Sequence, residues 1–200
     1  MIDGLDGSGK STQAQFIHKF LERKGKTVCL RVHPEEDNFF GVKARQFLHS
    51  RGKSAHFASA LFYMLDVIRS ILLYSWRKVD YVVFVRYLMG TAYLPSPLHK
   101  IAYHFFSFIV PKSEIMLFLD VSPEEASSRI AQSRNEREMF EDAEELNKVR
   151  TKALSLALVG KWIIINSNKP ATEVAATIRK AIFRHPQKRN RIPILEGNYN

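Results

Sequence analysis

The chain has 200 residues, 46% of them hydrophobic and 25% charged, which excludes extended disorder and suits one globular domain with a proper core. The formal net charge of +10 favours polyanionic ligands, either nucleotides or nucleic acid. Cys29 is the only cysteine, which excludes an intrachain disulfide and a metal site built on several thiolates. With no secretory leader, and with the apolar stretch 101–111 too short to span a bilayer, we predict a cytoplasmic protein without membrane contact.

Short β-branched runs alternate with longer helical segments, which predicts an α/β fold with a parallel sheet and helices on both faces. Only three residues precede Gly4, so the first strand is predicted to be severely shortened, or the natural chain to begin further upstream. The next predicted elements are a helix over 10–24, a strand over 27–32, a helix after Gly41 and a helix over 54–77. The last of these is apolar almost all round, which is typical of a helix deep in the core or shared with a second subunit.

The second half of the chain continues the alternation. Continuous apolar runs predict strands over 80–85, 115–121 and 162–166, and helices are predicted from Ser122, over 141–158 and over 171–183. The stretch 101–111 shows no helical pattern. The polar, arginine-bearing segment 132–141 is predicted to be a mobile lid, and 184–200 a loose basic tail. We therefore predict a single domain over 1–183.

One motif carries specific chemistry. Residues 4–11, GLDGSGKS, match G-x-x-x-x-G-K-[ST] without a mismatch and stand at the start of an amphipathic helix. Such a phosphate-binding loop (P-loop) directs backbone N–H groups at phosphate oxygens, while Lys10 reaches the β- and γ-phosphates and Ser11 offers a hydroxyl to Mg²⁺. We predict ATP and Mg²⁺ as ligands of a P-loop NTPase fold, held by Gly4, Asp6, Gly7, Ser8, Gly9, Lys10, Ser11 and Thr12.

The opening GLDGSGKSTQA resembles that of the thymidylate kinase family, and further segments resemble the family in the same order. These segments are Pro34 followed by Gly41 and Arg45, LFYMLD (61–66), VRYLMGTAYL (85–94), LDVSPEEASSRI (119–130), FE (140–141) and KVR (148–150). The similarity spans about residues 4–180. The P-loop is the most specific part of it.

The resemblance implies transfer of the γ-phosphoryl group of ATP to a deoxynucleoside monophosphate. On that basis Arg86 binds the acceptor phosphate, Asp6 contacts its sugar or positions the metal, and Tyr63 supplies an aromatic platform for the base. Arg45 and Tyr93 complete the expected acceptor contacts. The P-loop contains no basic residue besides Lys10, so the catalytic arginine is expected from the lid, as Arg134 or Arg137. A homodimer through the 54–77 helix is also expected.

Three positions depart from the family pattern. Val85 stands where the family has the aspartate of its D-R-Y segment, and Val67 stands where it has an arginine that reads the thymine edge. The arginine of its R-x-P segment is replaced by Val32, with Arg31 one residue early. Asp120 could substitute for the missing carboxylate or could cap the following helix.

Other interpretations of these residues and of the chain stay open. Tyr63 could be a core aromatic, Asp66 could pair with Arg69 on the surface, and Arg134 and Arg137 could pair with neighbouring glutamates. Rival functions are a P-loop kinase with a non-nucleotide acceptor and an ATP-binding regulator without catalysis. Nucleic-acid binding rests on charge and the tail alone and is the least favoured.

Overall fold

Five parallel strands form one central sheet. They are β1 (Ile2–Gly4), β2 (Val28–Val32), β3 (Tyr81–Val85), β4 (Leu117–Asp120) and β5 (Ile163–Asn166), in the order β2-β3-β1-β4-β5. The computed structural model describes residues 1–48, 53–110, 113–133 and 143–184. Most of the predicted lid, with Arg134 and Arg137, and all of the tail after Arg184 lie outside these ranges. The parallel sheet is as predicted.

The described part of the chain contains seven α-helices. They are α1 (Lys10–Glu22), α2 (Phe39–Leu48), α3 (Lys53–Tyr74), α4 (Leu98–Ile109), α5 (Pro123–Ser133), α6 (Ala143–Val159) and α7 (Ala171–Arg184), with a 3₁₀-helix at Met89–Tyr93. Helix α2 packs against α3 and not directly on the sheet. Helices α1 and α7 cover one face, and α3, α4, α5 and α6 contribute to the core on the other. This confirms the prediction of helices on both faces.

Strand β1 is central although it is only three residues long. Ile2 pairs with Val85 of β3 on one side and with Leu117 of β4 on the other, and all three residues of β1 are buried. Ligands of open parallel sheets bind where the carboxyl ends of the strands meet. The sheet order therefore places the end of β1, which leads into the P-loop, directly beside the end of β3, which leads to Arg86.

Helix α4 corrects the prediction for 101–111, which assigned no helix there. The helix buries His99 and Tyr103 and exposes Leu98, Ile101, Phe105 and Phe108. Leu98, Ile101, Phe105 and Phe108 follow one another at spacings of three and four residues, so the helical period is present in the sequence. The prediction was wrong because it began at Ile101 and considered 101–111 only as a continuous apolar run.

Helix α3 is apolar on both sides, as predicted. Its inner face buries Met64, Val67 and Ile71, while Phe57 and Leu72 on its outer side are 65% and 66% exposed. Among the described residues, Phe57–Tyr74 is the one segment long and apolar enough to cross a membrane, a test that core helices also pass. The cytoplasmic location stays a prediction.

Candidate active site

The P-loop connects β1 to α1 and needs glycine at two of its turns. Gly7 and Gly9 have φ angles of +75° and +84°, in the left-handed region that other residues rarely adopt. A Cβ on Gly7 would lie 2.6 Å from the carbonyl oxygen of Ala126 in α5. The loop ends at the N-terminus of α1, whose unpaired N–H groups and positive dipole end favour phosphate.

Lys10 lies inside the curl of this loop and is 4% exposed. Its Nζ donates to the carbonyl oxygens of Gly4, at 2.9 Å, and Leu5, and lies 3.5 Å from a carboxylate oxygen of Asp6. Burial lowers the pKa of Lys10, partly offset by Asp6, to about 8. The phosphate oxygens of a nucleotide would replace these carbonyl contacts and stabilise the charged ammonium.

The other predicted P-loop residues surround Lys10. Ser8 is buried, its Oγ has no hydrogen-bond partner, and its carbonyl accepts a 2.6 Å hydrogen bond from Ser167. Ser11 and Thr12 lie in the first turn of α1 and are exposed. The structure therefore brings together the loop residues predicted for ATP.

Arg129 of α5 also contacts the P-loop, and the sequence did not single it out. One terminal nitrogen of its guanidinium lies 3.4 Å from the carbonyl oxygen of Gly7, and the other donates at 3.0 Å to the carbonyl of Ser167. Its Nε pairs with Glu125 at 2.8 Å. Arg129 stands within the segment 119–130 that supports the family resemblance, which is the one signal that could have pointed to it.

Asp6 joins the P-loop to the predicted acceptor residues. One of its carboxylate oxygens accepts from Arg86 at 2.6 Å and the other accepts from the hydroxyl of Tyr93 at 2.9 Å. Burial opposes ionisation of Asp6, but the charges of Arg86 and Lys10 prevail and hold its pKa well below the usual range. Four predicted site residues, from two separate parts of the sequence, thus form one cluster.

The backbone of Arg86 is in an unusual conformation. Its φ angle is +59°, which is rare for a residue with a side chain and often marks functional sites. His33, at the end of β2, is fully buried, and its Nδ1 lies 3.1 Å from the carbonyl oxygen of Arg86. Burial lowers the pKa of His33. A neutral ring that donates from Nδ1 therefore holds the strained turn in place.

Asp3, at the end of β1, holds the same turn and was not predicted. One of its carboxylate oxygens accepts hydrogen bonds from the backbone amides of Tyr87, Leu88 and Met89, at 2.8, 3.0 and 2.9 Å. The other accepts from the amide of Gly4 at 2.9 Å, and Asp3 is 2% exposed. This carboxylate occupies the N-terminal amides of the 3₁₀-helix, and so it fixes the segment that contains Arg86 against the P-loop.

The two valines that depart from the family pattern are core residues. Val85 is fully buried and packs in the cluster that contains Ala14 and Ile17 of α1, and Val67 is fully buried with Ile71 and Leu88. Neither side chain can bind a metal ion or a base edge.

Asp120 does not cap the following helix, and its role as a substitute for the missing carboxylate stays a prediction. Both of its carboxylate oxygens pair with Arg150 of α6, at 2.7 and 2.8 Å. Ser122 is the residue that caps α5, through a hydrogen bond of 3.3 Å from the amide of Glu125 to its Oγ. The sequence did not reveal this because Arg150 lies thirty positions away.

The remaining acceptor candidates lie around α3. Arg45 is 48% exposed, pairs with Glu36 and donates to the carbonyl of Pro34 at 3.2 Å. The ring of Tyr63 lies against Gly90 of the 3₁₀-helix. Asp66 does not pair with Arg69, since its carboxylate accepts from the amide of Glu35 and from Asn38, at 2.9 and 2.7 Å, while Arg69 lies 3.7 Å from Asp37.

Three comparisons with known proteins agree with this arrangement. The family model described as thymidylate kinase matches residues 2–178. A thymidylate kinase from Leifsonia xyli is 27% identical over 191 residues, covering 89% of this chain and 90% of that protein. A probable thymidylate kinase from Pyrobaculum calidifontis is 29% identical over 190 residues, covering 92% and 94%.

A solved structure shows the same fold. The thymidylate kinase from Candida albicans superposes with a TM-score of 0.68 at 19% identity, covering 92% of this chain and 89% of that one. The comparisons therefore confirm both the resemblance and the P-loop fold predicted from the sequence.

Proposed function

Since the chain belongs to the thymidylate kinase family, we propose that it transfers the γ-phosphoryl group of ATP to a nucleoside monophosphate, with dTMP as the leading acceptor. The observation that carries this proposal is the pairing of Asp6 with Arg86 at 2.6 Å, which places a phosphate-binding arginine next to the P-loop. Phosphoryl transfer needs alignment of two phosphate groups and neutralisation of their charge more than it needs covalent chemistry. Two adjacent phosphate sites meet that need.

On the donor side, the loop amides and the ammonium of Lys10 would hold the triphosphate. Lys10 keeps its proton at neutral pH, because its pKa of about 8 is still above 7, and phosphate oxygens would raise the pKa further. The α1 dipole adds to this field. The residues 4–12 thus bind and orient the group to be transferred.

A magnesium ion fits the residues at the mouth of the loop. Ser11 is exposed in the first turn of α1, and the carboxylate of Asp6 is ionised at neutral pH because its pKa is depressed. Hydroxyl, carboxylate and phosphate oxygens are the ligands that Mg²⁺ prefers. Bound there, Mg²⁺ would neutralise charge on the β- and γ-phosphates.

On the acceptor side, Arg86 is a permanent cation. Burial works against its charge, but Asp6 raises its pKa above the ordinary arginine value. A monophosphate dianion would compete with Asp6 for this guanidinium, and Tyr93 and Tyr63 stand beside it for the sugar and base. We propose that Arg45 contacts the bound acceptor. We also propose that Arg134 or Arg137 of the lid supplies the catalytic arginine.

The test is ADP release from Mg²⁺·ATP with each of dTMP, dUMP, UMP and CMP, using Lys10→Ala as the blank. We expect at least one monophosphate to stimulate ADP release in the unmodified chain and none to do so in the variant. If no monophosphate stimulates release, the proposal is wrong.

A second candidate, an ATP-binding regulator that has lost catalysis, is favoured by Val85. Two carboxylates in the described part of the chain that lie near the end of β1 are already engaged: Asp3 accepts four amides, and Asp6 of the P-loop binds Arg86. Calorimetry that shows ATP binding, combined with no ADP release from any monophosphate, would select this candidate over the kinase.

A homodimer through α3 is supported by the apolar residues on its outer side. Leu61, Leu72 and Leu73 are 49%, 66% and 52% exposed, and Phe39 of the neighbouring α2 is 63% exposed. Such a patch favours burial against a second copy. Light scattering should give the dimer mass for the unmodified chain and the monomer mass for Leu72→Glu, whereas Leu158→Glu on α6 should remain dimeric.

A further inference from the structure

The hydroxyl of Tyr63 is buried without a partner. Its oxygen is shielded from solvent and makes no hydrogen bond in the structure. Buried polar groups are normally paired, because leaving one unpaired costs about 1–3 kcal/mol of stability. A phenylalanine would fill the same space without that cost, so the folded chain alone gives no reason for the hydroxyl.

The surroundings of this hydroxyl are those of the acceptor site. The Tyr63 ring lies against Gly90, and a Cβ at that position would be 2.6 Å from the ring. Besides burial, the charges that act on the hydroxyl are those of Asp3, Arg86, Asp66 and Asp6. The Tyr63 ring therefore packs on the 3₁₀-helix that follows Arg86 and contains Tyr93.

Among the described side chains of α3 that follow Tyr63 on this face, the nearest ones are apolar or already paired. Val67, one turn further along, is apolar, and Asp66 is occupied by Glu35 and Asn38. The Oγ of Ser70, two turns from Tyr63, is also unpaired but belongs to a fully buried residue, whereas the Tyr63 ring is partly exposed. Burial raises the pKa of Tyr63, so its hydroxyl stays protonated and can donate at neutral pH.

We propose that the hydroxyl of Tyr63 is a specificity-determining contact, which donates a hydrogen bond to the monophosphate acceptor whose phosphate Arg86 binds. The inference rests on the proposed function. It adds that the hydroxyl of Tyr63 donates a hydrogen bond to the acceptor, which the apolar side chain of Val67 on the same helix cannot do. It also adds that this unpaired hydroxyl lowers the stability of the free protein.

The test is Tyr63→Phe, which removes one oxygen atom and keeps the ring. We expect the Kd for dTMP, measured by calorimetry, to rise about tenfold, the effect of losing one hydrogen bond to a ligand. The Kd for ATP should change by less than about twofold, and Tm should stay the same or increase because an unpaired polar group is gone. Tyr74→Phe, on the same helix, is the matched control and should leave the Kd for dTMP unchanged.

Gly90→Ala tests the same contact without touching the hydroxyl. The new methyl group would displace the ring, and since Gly90 does not have a positive φ, alanine suits its backbone. We expect weaker dTMP binding and unchanged ATP binding.

Two results would overturn the inference. One is an unchanged Kd for dTMP in Tyr63→Phe. The other is a lower Tm together with weaker binding of both ligands, which would mean a general structural role.

Because binding is measured directly, a chain that binds dTMP but does not phosphorylate it still tests the contact. A chain that binds no monophosphate of the panel removes the proposed function and this inference together, and that outcome is visible before any variant is made.

Discussion

The donor half of the site, residues 4–12, and the acceptor half, formed by Tyr63, Arg86 and Tyr93, start from neighbouring strands but differ in how they are built. The donor half is one contiguous turn in which backbone amides and Lys10 do the binding, and it matches its motif at every position. The acceptor half is assembled from side chains on α3, on the turn after β3 and on the 3₁₀-helix. The donor half tolerates few substitutions, because its contacts to phosphate come from backbone amides whose positions depend on the whole turn. The acceptor half can be altered by substituting one side chain at a time.

The largest expected effect is on the donor half. Lys10→Ala removes the only ammonium inside the loop, and we expect kcat/KM to fall by at least about 1,000-fold, since charge neutralisation is most of the catalysis. ADP release with the best monophosphate measures this. An activity within about tenfold of the unmodified chain would mean that the loop does not bind the triphosphate as we describe.

Arg86→Gln is the corresponding change in the acceptor half. Loss of a charged contact to phosphate should raise KM for the monophosphate about 100-fold or more. The Kd for ATP should stay nearly the same, which separates the two halves experimentally. Equal losses for both nucleotides would show that the halves are not independent. Arg77→Gln, at the surface after α3, is a suitable control.

Asp3→Asn changes the link between the halves. An amide accepts the three hydrogen bonds from Tyr87, Leu88 and Met89 more weakly than a carboxylate does, so we expect the free energy of unfolding to fall by about 2 kcal/mol. The monophosphate KM should rise about tenfold because Arg86 loses its fixed position. Chemical denaturation and steady-state kinetics measure the two effects. Glu114→Gln, at an exposed position before β4, should show neither.

The smallest effect is a pH dependence confined to the donor half. As the pH rises through about 8, Lys10 of the free chain loses its proton, whereas bound phosphate keeps it protonated, so ATP affinity should fall by up to about tenfold per pH unit. Affinity for dTMP should stay flat over the same range, because Arg86 remains charged. Calorimetry at pH 7.0 to 9.5, about the range in which Lys10 titrates, measures both.

The depressed pKa of Lys10 has the opposite effect on stability: the free energy of unfolding increases with pH while ATP affinity falls. Between pH 8 and the ordinary lysine value, the unfolded chain holds the Lys10 proton that the folded chain has lost, so this residue makes unfolding less favourable as the pH rises. Lys10→Ala should remove that part of the pH dependence. If the unmodified chain and the variant show parallel stability profiles, the pKa of Lys10 is not depressed.

The sequence predicted those features best that depend on residues close together in the chain. The P-loop was predicted in full because its glycines and lysine are adjacent in the chain and have a fixed spacing. Strands β3 and β4 were predicted because burial on both faces produces continuous apolar runs, and the edge strands β2 and β5 keep similar apolar runs although they are only partly buried. Helix α4 was missed although Leu98, Ile101, Phe105 and Phe108 have helical spacing, because the apolar residues between them make 101–111 resemble one continuous apolar run.

Long-range contacts were harder to predict. Asp3 bonds to amides more than eighty positions away, and a backbone amide has no sequence signature. Arg129 also contacts a distant backbone group, the carbonyl of Gly7, which no sequence pattern identifies as its partner. The cluster of Asp6, Arg86 and Tyr93 was anticipated only because the family resemblance named its members. The roles of Arg134 and Arg137 stay predictions.

The attachment of one carboxylate to three successive amides also limits how the molecule can move. A small shift of β1 relative to the turn after β3 would break three hydrogen bonds at once, all of them buried. The triphosphate cradle and the guanidinium of Arg86 must therefore travel as one rigid block. Any opening and closing during a reaction cycle has to come from elements hinged to that block, and the distance between the two phosphate sites is set when the chain folds rather than when substrates arrive.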